Sequence, residues 1–355
     1  MKVCHLTSAH ETNDDRIFLK ECESLSRAGH EVYLVGEGVD RTDSGVHVVG
    51  CGEMEGRLKR FTKFTKKVYK TALELNCDVY HFHDPELLPY GLKLKRKGKT
   101  VVFDSHEDVP AQINDKTWIP KIFRGLVSNL YRNYESHVVK RLDAVVAATP
   151  HIASKFRERT RDVVVVNNYP SLDDIVFHEK PFGEKDAIAC YAGSISEDRG
   201  ENIMKNAMEK VDGKLVIAGP HDAEKNGKVE YIGFLNRAGV NDLYKDAVVG
   251  LCILKPIENY YYSQPIKMYE YMAAGLPFVC SNFPGWVQIA KESEAGICVD
   301  PENLDEIAQA INSLLKDRSK AQEMGRKGHD YVVSNCTWAN EENTLVRLYK
   351  ELENS

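Results

Sequence analysis

Short apolar runs of strand length alternate with longer amphipathic segments from one end of the 355-residue chain to the other. This alternation is typical of parallel β-sheets covered by α-helices. It occurs as two successive series, so we predict an α/β protein with two sheets that face one another across a cleft. The predicted strands are 2–7, 31–35, 78–82, 100–104, 144–148 and 163–166 in the first series, and 187–192, 214–218, 229–232, 249–254 and 277–280 in the second.

The boundary between the two series is a charged stretch that contains Pro181 and Gly183, residues that favour a connection over a helix or strand. A chain of this length suits two domains of ordinary size. We predict a first domain over 1–168, a linker over 169–186, a second domain over 187–336 and a final helix over 337–355. This helix is expected to pack back across the domain junction.

Composition excludes several classes of protein. The net charge of -6 argues against a nucleic-acid partner. The first residues lack the basic and apolar regions of a signal peptide, so we expect a cytoplasmic protein. No apolar stretch approaches the length of a membrane span, so any membrane contact is expected to be peripheral. The nine cysteines show no zinc spacing and are expected to be reduced and structural.

The segment from Ser263 to Pro277 predicts a helix start that binds phosphate. Ser263 is expected to cap the helix, with Pro265 in its first turn. The unpaired N–H groups and partial positive charge of such a helix start suit a diphosphate, and Glu270 is placed to accept hydrogen bonds from ribose hydroxyls. The alternative is a well-capped structural helix with a surface glutamate.

A second pattern joins a strand end to a small-residue turn and one arginine. Gly193 allows close approach of a ligand to the backbone, and Arg199 offers several donors to phosphate oxygens. The alternative is an ordinary turn with a solvated arginine.

Two further strand ends carry histidines and carboxylates, at His81-Phe-His-Asp84 and at Asp104-Ser-His-Glu107. Such a concentration of ionisable groups favours a functional site. His81, His83, Asp84 and His106 are all competent metal ligands. However, His81 and His83 alternate with Phe82 and share a face of the sheet only if that face is polar. The chain also lacks an Asp-x-Asp pair, so we expect no metal.

Two basic segments contain regularly spaced apolar residues. The first runs from Arg57 to Lys70, and the second runs from Lys116 to Arg132 and includes Trp118 and Ile122. Basic amphipathic segments indicate contact with an anionic membrane surface. The alternative is a helix whose apolar stripe faces its own core.

Taken in order, these patterns resemble the retaining glycosyltransferases of family 4, which have two Rossmann-like domains (the GT-B fold), and especially bacterial polysaccharide-assembly members. The resemblance extends over nearly the whole chain, and the block from Lys267 to Pro277 is its most specific part. Its other parts are Gly29-His-Glu-Val32, the two histidine-bearing strand ends, Tyr191-Ala-Gly193 with Arg199-Gly200, and Ile217-Ala-Gly219.

The resemblance implies a role for each block. His106, Arg199, Lys267 and Glu270 are implied to be catalytic, with Arg199 and Lys267 at the diphosphate and Glu270 at the ribose. The implied donor site comprises Gly193, Ser194, Arg199, Gly219, Pro220, Ile232, Gly233, Tyr262, Ser263, Gln264, Pro265, Ile266, Lys267 and Glu270. The implied acceptor side comprises His10, Asp15, Arg16, His83, Asp84 and Glu107.

The sequence departs from the family pattern at three places. Tyr262 stands where the first glutamate of the paired-glutamate motif is expected, and Ser194 stands where many relatives have a diphosphate-binding arginine. Ala9-His10-Glu11 replaces the usual glycine pair. These departures affect the contacts expected to the sugar and to the leaving group.

The resemblance implies front-face transfer of a sugar, with retention, from a nucleoside diphosphate sugar, with UDP favoured as the nucleotide. The implied acceptor is a glycan or a lipid-linked molecule at the inner face of the cell membrane. The alternatives are a nucleotide-sugar epimerase on the same scaffold and an inactive scaffold subunit of a glycosyltransferase complex.

Overall fold

The computed structural model describes residues 1–54, 56–116, 118–160, 162–221 and 227–354, except for the side chains of Arg57, Asp115 and Asn259. It divides into two compact units, Met1–Asn168 with Ala339–Ser355, and Tyr169–Trp338. Each unit contains one sheet with helices packed on it. The prediction of an α/β protein with two Rossmann-like domains is confirmed.

The first unit is built on an eight-stranded sheet with the order β3-β4-β2-β1-β5-β6-β7-β8. All neighbouring strands are parallel except β3 and β4. The strand order reverses between β1 and β5, and such a reversal opens a crevice at the carboxyl ends of the strands. The strands are β1 Lys2–Leu6, β2 Glu31–Gly36, β3 Arg41–Asp43, β4 Val46–Gly50, β5 Val79–Phe82, β6 Thr100–Ser105, β7 Ala144–Ala147 and β8 Val163–Val165.

The second unit is built on a six-stranded parallel sheet with the order β11-β10-β9-β12-β13-β14. Renumbered within the unit, this is the 3-2-1-4-5-6 order of dinucleotide-binding domains, with its reversal between β9 and β12. The strands are β9 Ile188–Ala192, β10 Lys214–Ala218, β11 Val229–Tyr231, β12 Val249–Cys252, β13 Phe278–Ser281 and β14 Gly296–Val299.

Helices connect most of these strands and cover both sheets. In the first unit they are Asp15–Cys22, Glu23–Arg27, Gly56–Lys59, Arg60–Phe64, Thr65–Glu74, Pro85–Leu87, Leu88–Arg96, Val109–Asp115, Lys121–Val139 and Pro150–Arg157. In the second unit they are Phe182–Glu184, Glu201–Met208, Arg237–Asp246, Glu258–Tyr260, Ile266–Ala273, Pro284–Ser293, Leu304–Lys316 and Arg318–Asn335. The final helix is Trp338–Glu353.

The residues expected to link the domains pack within the second unit. Ile175 and Phe182 lie in its hydrophobic core. The chain returns to the first unit from Ala339 onward, and the hydroxyl of Tyr349 in the final helix lies 2.9 Å from Nδ1 of His81 in β5. The final helix therefore contributes directly to the side-chain layer on the first sheet.

The first helix shows how local sequence positions buried charges. Asp14 caps it by accepting hydrogen bonds from the amides of Arg16 and Ile17. The helix is wound as a π-helix over Asp15–Cys22, which allows more residues per turn than an α-helix. Arg16 and Glu21 are both buried in this segment. The helix therefore contributes two buried side chains of opposite charge.

Two further expectations concern membrane spans and cysteines. Within the described ranges, no helix combines the length and the apolar character that a membrane crossing requires.

All nine cysteines are free thiols, and eight of them are buried. This agrees with their structural role.

Candidate functional site

Gly193 follows β9 at the strand reversal of the second sheet. Its φ of +126° is a conformation that side chains rarely adopt. A Cβ at this position would lie 2.9 Å from Cε and 3.0 Å from Nζ of Lys267. Glycine therefore allows the end of the lysine side chain to lie against the backbone.

Lys267 carries an uncompensated positive charge at this point. Its Nζ lies 4.8 Å from the centre of the Tyr191 ring and makes no hydrogen bond or ion pair with any residue in the described part of the chain. Burial lowers the pKa of Lys267, and the nearby charge of Arg199 lowers it further. A desolvated cation next to a second cation is stabilised by an anion, so this position suits a phosphate group.

Arg199 reaches the same turn from the next segment. Its Nη1 donates to the carbonyl oxygen of Ser194 at 3.0 Å, and the Tyr191 hydroxyl donates to that oxygen at 2.8 Å. Ser194 and Arg199 are both exposed. The turn therefore presents an arginine and a lysine to a ligand beside the strand end.

The helix expected to begin at Ser263 begins at Ile266 with Pro265 as its N-cap, and no side chain caps it. The prediction that Ser263 caps this helix is wrong. Ser263 precedes the N-cap by two residues, and its hydroxyl donates to the carbonyl oxygen of Tyr260 instead. Its own carbonyl accepts a hydrogen bond from Trp286 Nε1 at 2.8 Å. Because the helix start has no side-chain cap, its first amides remain suited to bind an anion.

Glu270 lies one turn further along this helix, at a cavity of about 430 Å³. Its Oε1 accepts from Arg237 Nη1 at 2.7 Å and its Oε2 accepts from the Tyr244 hydroxyl at 3.2 Å. The carboxylate is thus held in place at the cavity edge. The lining residues are Ala192, Gly193, Ser194, Ala218, Gly219, Pro220, Phe234, Leu235, Asn236, Arg237, Val240 and Glu270.

Gly219 brings the neighbouring strand end close to Gly193. A Cβ on Gly219 would lie 2.2 Å from the carbonyl oxygen of Gly193, so only glycine fits here. The Gly219 amide donates to the carbonyl of Gly233 at 2.8 Å. Ile232 and Gly233 lie beside the strand end at Gly219 but do not line the cavity. The next residue, Phe234, does line it.

The remaining expected donor residues lie around the helix start. Gln264 and Ile266 are half-buried there, and Tyr262 is exposed. None of the three lines the cavity beside Glu270. The cavity beside Glu270, which is of nucleoside size, is therefore distinct from the helix start, where the phosphates are expected to bind.

The predicted donor site omits seven of the residues that line this cavity, namely Ala192, Ala218, Phe234, Leu235, Asn236, Arg237 and Val240. Asn236 accepts a hydrogen bond from the Gly239 amide as the N-cap of the next helix, and this capping pattern was available in the sequence. No sequence pattern indicated a role for Arg237, because its partner Glu270 lies 33 residues away in the chain.

In the first unit, Asp104 at the end of β6 is the centre of a buried ionic network. It accepts from Arg16 Nε and Nη2, both at 2.9 Å. Its Oδ2 lies 2.7 Å from His106 Nε2 and 3.2 Å from His83 Nδ1. Burial alone would raise the pKa of Asp104, but Arg16 and His106 hold it well below its usual range. Asp104 therefore stays ionised and orients His106.

Three residues expected on the acceptor side are buried. Arg16 was expected to face the substrates, but its guanidinium is bound by Asp104 and by the carbonyl oxygen of Val166 at 2.8 Å. His83 and Asp84 are also buried. Each of these side chains bonds to neighbouring groups of its own unit, and its contact with a ligand stays a prediction.

His10, half-exposed, forms an ion pair with Asp84, and His106 lies next to it. His10 Nδ1 is 2.9 Å from Asp84 Oδ1, and the His10 and His106 ring centres are 5.1 Å apart. Burial would lower the pKa of His10, but Asp84 raises it to about 9. Burial would raise the pKa of Asp84, but His10 lowers it to about 2. At neutral pH this edge of the sheet presents an imidazolium.

The ion pair predicts a pH-dependent contribution to stability. Because the folded pKa of His10 lies above its ordinary value of 6.5, the stabilisation is fully present below pH 6.5 and is lost as the pH rises through about 9. We expect His10→Gln to lower the free energy of unfolding by roughly 1 kcal/mol at about pH 6, since the pair is partly in solvent. Urea unfolding at about pH 10 should give a much smaller difference between the two proteins. A difference that grows with pH would contradict this assignment.

The other two expected acceptor-side residues are more exposed. Asp15 accepts a hydrogen bond from Lys20 Nζ at 2.6 Å, and Glu107 accepts one from Gln112. A second cavity, of about 550 Å³, lies beside the loop that follows β1. Its lining residues are Glu11, Thr12, Asn13, Phe18, Leu19, Glu37, Arg41 and Asp43.

Comparison with known proteins gives matches along most of the chain. A model described as Glycosyltransferase Family 4 matches residues 16–169, and one described as Glycosyl transferases group 1 matches residues 173–331. A stretch of 182 residues is 29% identical to an uncharacterized glycosyltransferase of Methanocaldococcus jannaschii, over 47% of this chain and 45% of that protein. The chain spans about half the length of the curated relatives it matches.

Two solved structures are similar over their whole length. Sucrose-phosphate synthase from Thermosynechococcus elongatus has a TM-score of 0.79 and 16% identity over 99% of both chains. HepE of Anabaena, in complex with UDP-glucose, has a TM-score of 0.74 and 12% identity over 99% of this chain and 100% of that one. At these identities the likeness concerns the fold. Since the two family models follow one another along most of a chain with two Rossmann-like sheets, the chain belongs to the family 4 type of glycosyltransferase, with the GT-B fold.

Proposed function

We propose that this chain transfers a sugar, of the hexose or N-acetylhexosamine class, from a nucleoside diphosphate sugar to a glycan or lipid-linked acceptor. The anomeric configuration is retained, and the product belongs to cell-surface polysaccharide or glycoconjugate assembly. UDP is the favoured nucleotide. Family membership supports the reaction type, and the complex of the similarly folded HepE with UDP-glucose supports the choice of donor.

The observation that carries this proposal is the unpaired cation of Lys267 beside Gly193. Arg199 and the uncapped helix start at Ile266 add positive potential to the same segment. The cavity beside Glu270 is of a size that suits a nucleoside. Glu270 is held there by Arg237 and Tyr244, so its carboxylate is oriented to accept the ribose hydroxyls.

In the proposed mechanism, the bond from the sugar to the diphosphate breaks first and the acceptor hydroxyl attacks the oxocarbenium-like sugar from the same face. The hydroxyl proton passes to an oxygen of the leaving diphosphate. Lys267, Arg199 and the helix amides offset the charge that grows on the leaving phosphate. Such preorganised electrostatics is usually the largest single contribution to catalysis. His106, oriented by Asp104, positions the sugar or the acceptor and forms no covalent intermediate.

We propose that the transfer step needs no metal ion on the diphosphate. Two side-chain cations and a helix start stand where a divalent ion would otherwise neutralise the leaving group. Turnover that is the same with and without added Mg²⁺ or Mn²⁺ is the expected result.

The acceptor is proposed to bind beside the loop that follows β1. The cavity there carries three carboxylates, Arg41 and the ring of Phe18. The Arg41 guanidinium lies 5.4 Å from the centre of that ring. Polar groups around an aromatic face suit sugar hydroxyls and a sugar ring, so this cavity fits a glycan.

We further propose that the first unit contacts an anionic membrane, at the cytoplasmic face. Ile122 and Leu126 in the helix Lys121–Val139 are 83% and 59% exposed, and Trp118 just before it is 70% exposed. The one acidic residue of this helix, Glu135, is buried and paired with Arg159. Its exposed surface is therefore apolar and basic, which complements anionic lipid headgroups.

The basic segment from Arg57 to Lys70 contributes less to this surface. The Arg57 side chain lies outside the described residues. Phe64 and Val68 are buried, whereas Leu58 and Phe61 are exposed. The second half of the segment therefore packs on the core of its own unit, as the alternative interpretation had it, and only the first half is available for a membrane.

The membrane proposal predicts the effect of two aspartates. We expect Ile122→Asp with Leu126→Asp to weaken binding to phosphatidylglycerol vesicles by roughly 10-fold or more, since each aliphatic side chain contributes on the order of 1 kcal/mol on burial. Vesicle sedimentation measures the effect. Val333→Asp, at an exposed position of the second unit, is the control and should bind as the wild type does. Failure of the wild type to sediment with anionic vesicles would contradict the proposal.

A panel of UDP and GDP sugars tests the function. We expect thermal stabilisation by one nucleotide, release of that nucleoside diphosphate in the presence of acceptor, and an NMR coupling in the product that matches the donor anomer. Interconversion of the free donor would instead support an epimerase. Nucleotide binding without transfer or hydrolysis would support a scaffold subunit.

A further inference from the structure

Three histidine side chains stack on one face of the first sheet at its strand reversal. His5 of β1 pairs in register with His81 of β5, and His83 follows on the same face. The ring centres of the three pairs are 4.7, 4.9 and 5.1 Å apart. From the sequence, His81 and His83 were expected to share a face of the sheet, and so to bind one metal ion, only if that face is polar. That condition is met, because His5 lies on the same face and Glu21 of the helix Asp15–Cys22 lies next to it.

Among the described residues, Glu21 and His81 are the members of the cluster with buried polar atoms that have no hydrogen-bond partner. The Glu21 side chain is fully buried, and neither carboxylate oxygen has a hydrogen bond to a described residue. Oε1 lies 3.1 Å from Arg16 Nε in an ion pair. Oε2 lies 4.0 Å from His5 Nδ1 and 3.9 Å from His81 Nδ1, which is too far for hydrogen bonds. A buried oxygen in this situation requires an ion or a water.

We propose that His5, Glu21, His81 and His83 bind a divalent zinc-type cation in the first unit. One ligand atom of each side chain lies within 4.8 Å of the other three. Zinc bonds of about 2.0–2.1 Å place tetrahedral ligand atoms roughly 3.3 Å apart. The distance from His5 Nδ1 to Glu21 Oε2 therefore needs to shorten by less than about 1 Å. His81 offers Nε2 as its ligand atom, because its Nδ1 contacts the Tyr349 hydroxyl and its Nε2 has no hydrogen bond to a described residue. Nitrogen and carboxylate ligands are those that zinc takes in proteins.

The surroundings of the cluster resemble the outer shell of a metal site. The His83 nitrogen that faces away from the cluster lies 3.2 Å from Asp104 Oδ2, and His5 Nε2 lies 3.4 Å from the Tyr349 hydroxyl. Metal-binding histidines commonly donate their second N–H to such groups.

The ion has a structural role in this proposal. All four side chains are buried, so no substrate reaches the ion. It joins β1, β5 and the helix Asp15–Cys22, and it thereby supports the strand ends that carry Asp84 and His106. The site is separate from the diphosphate of the donor, so the proposal does not depend on the function proposed above.

Metal analysis of tag-free protein tests the proposal, because a histidine tag would bind metal itself. After gel filtration in chelator-treated buffer, the wild type should contain about one zinc ion per chain. His81→Ala should lose it, whereas His47→Ala, in β4 and outside the cluster, should keep it. Removal of zinc by a strong chelator should lower the melting temperature by roughly 5 °C or more, and one equivalent of zinc should restore it.

A second measurement avoids variants that fail to fold. Wild-type protein refilled with Co²⁺ should show the intense visible absorption of a tetrahedral site with nitrogen and oxygen ligands. Less than about a tenth of an equivalent of any divalent metal, with no change in melting temperature on adding zinc, would overturn the proposal. The cluster would then be a hydrogen-bonded network, in which the 2.9 Å contact between His5 Nδ1 and His83 Nε2 is a hydrogen bond.

Discussion

Replacing Lys267 with methionine should lower the turnover of sugar transfer by roughly 10²–10³, the scale of losing one preorganised charge at a leaving group. The effect is expected on kcat more than on KM, because the negative charge on the phosphates grows as the bond to the sugar breaks. Initial rates at saturating donor, compared between the two proteins, measure it.

The stability of the Lys267→Met variant is not expected to fall with its turnover. Burial and Arg199 disfavour the charged form of Lys267, so methionine is expected to leave the melting temperature unchanged or raise it. Lys214→Met is the matched control, because this lysine lies at the first residue of β10, at the opposite end of the strand from the site. Loss of turnover in both variants, or near-normal turnover of Lys267→Met, would remove this lysine from the mechanism.

Asp104→Asn should reduce the free energy of unfolding by about 3 kcal/mol, the cost of breaking a buried ion pair by removal of one partner. Asparagine leaves the Arg16 guanidinium buried, with Glu21, 3.1 Å from Arg16 Nε, as its remaining ion-pair partner among the described residues. It also leaves one acceptor oxygen where Asp104 uses two for Arg16, His83 and His106. Urea unfolding of the purified variant measures the loss.

Asp246→Asn provides the comparison for an exposed pair. Asp246 accepts from Lys180 Nζ at 2.8 Å on the surface of the second unit, and such pairs typically contribute less than about 1 kcal/mol. A loss in Asp104→Asn no larger than that in Asp246→Asn would show that the network around Asp104 does not stabilise the first unit.

Most of the strands that could be predicted from the sequence are buried on both faces, although Val163–Val165 and Val229–Tyr231 are largely half-buried. Every strand predicted in the two series is present, because continuous apolar runs bounded by polar clusters are typical of parallel sheets. Arg41–Asp43, Val46–Gly50 and Gly296–Val299 were missed. The first two form a short edge hairpin, whose turn at Ser44 and Gly45 has positive φ at both residues. Serine gives a weaker turn signal there than asparagine.

Only those parts of the site that depend on the local spacing of residues in the sequence could be predicted. Gly193, Lys267 and Glu270 meet at one strand reversal, as the order of motifs indicated. The burial of Arg16 could not be foreseen, because its partner Asp104 lies 88 residues further along the chain. Pairings of this kind arise from packing and leave no periodic signal.

A crystal structure with bound UDP tests the central claim most directly. We predict that the diphosphate lies within hydrogen-bonding distance of the Ile266 and Lys267 amides and of Lys267 Nζ, with the ribose hydroxyls on Glu270 and the uracil in the cavity beside Phe234. Density for the nucleotide at any other position, or a diphosphate that contacts neither the helix start nor Lys267, would contradict the account.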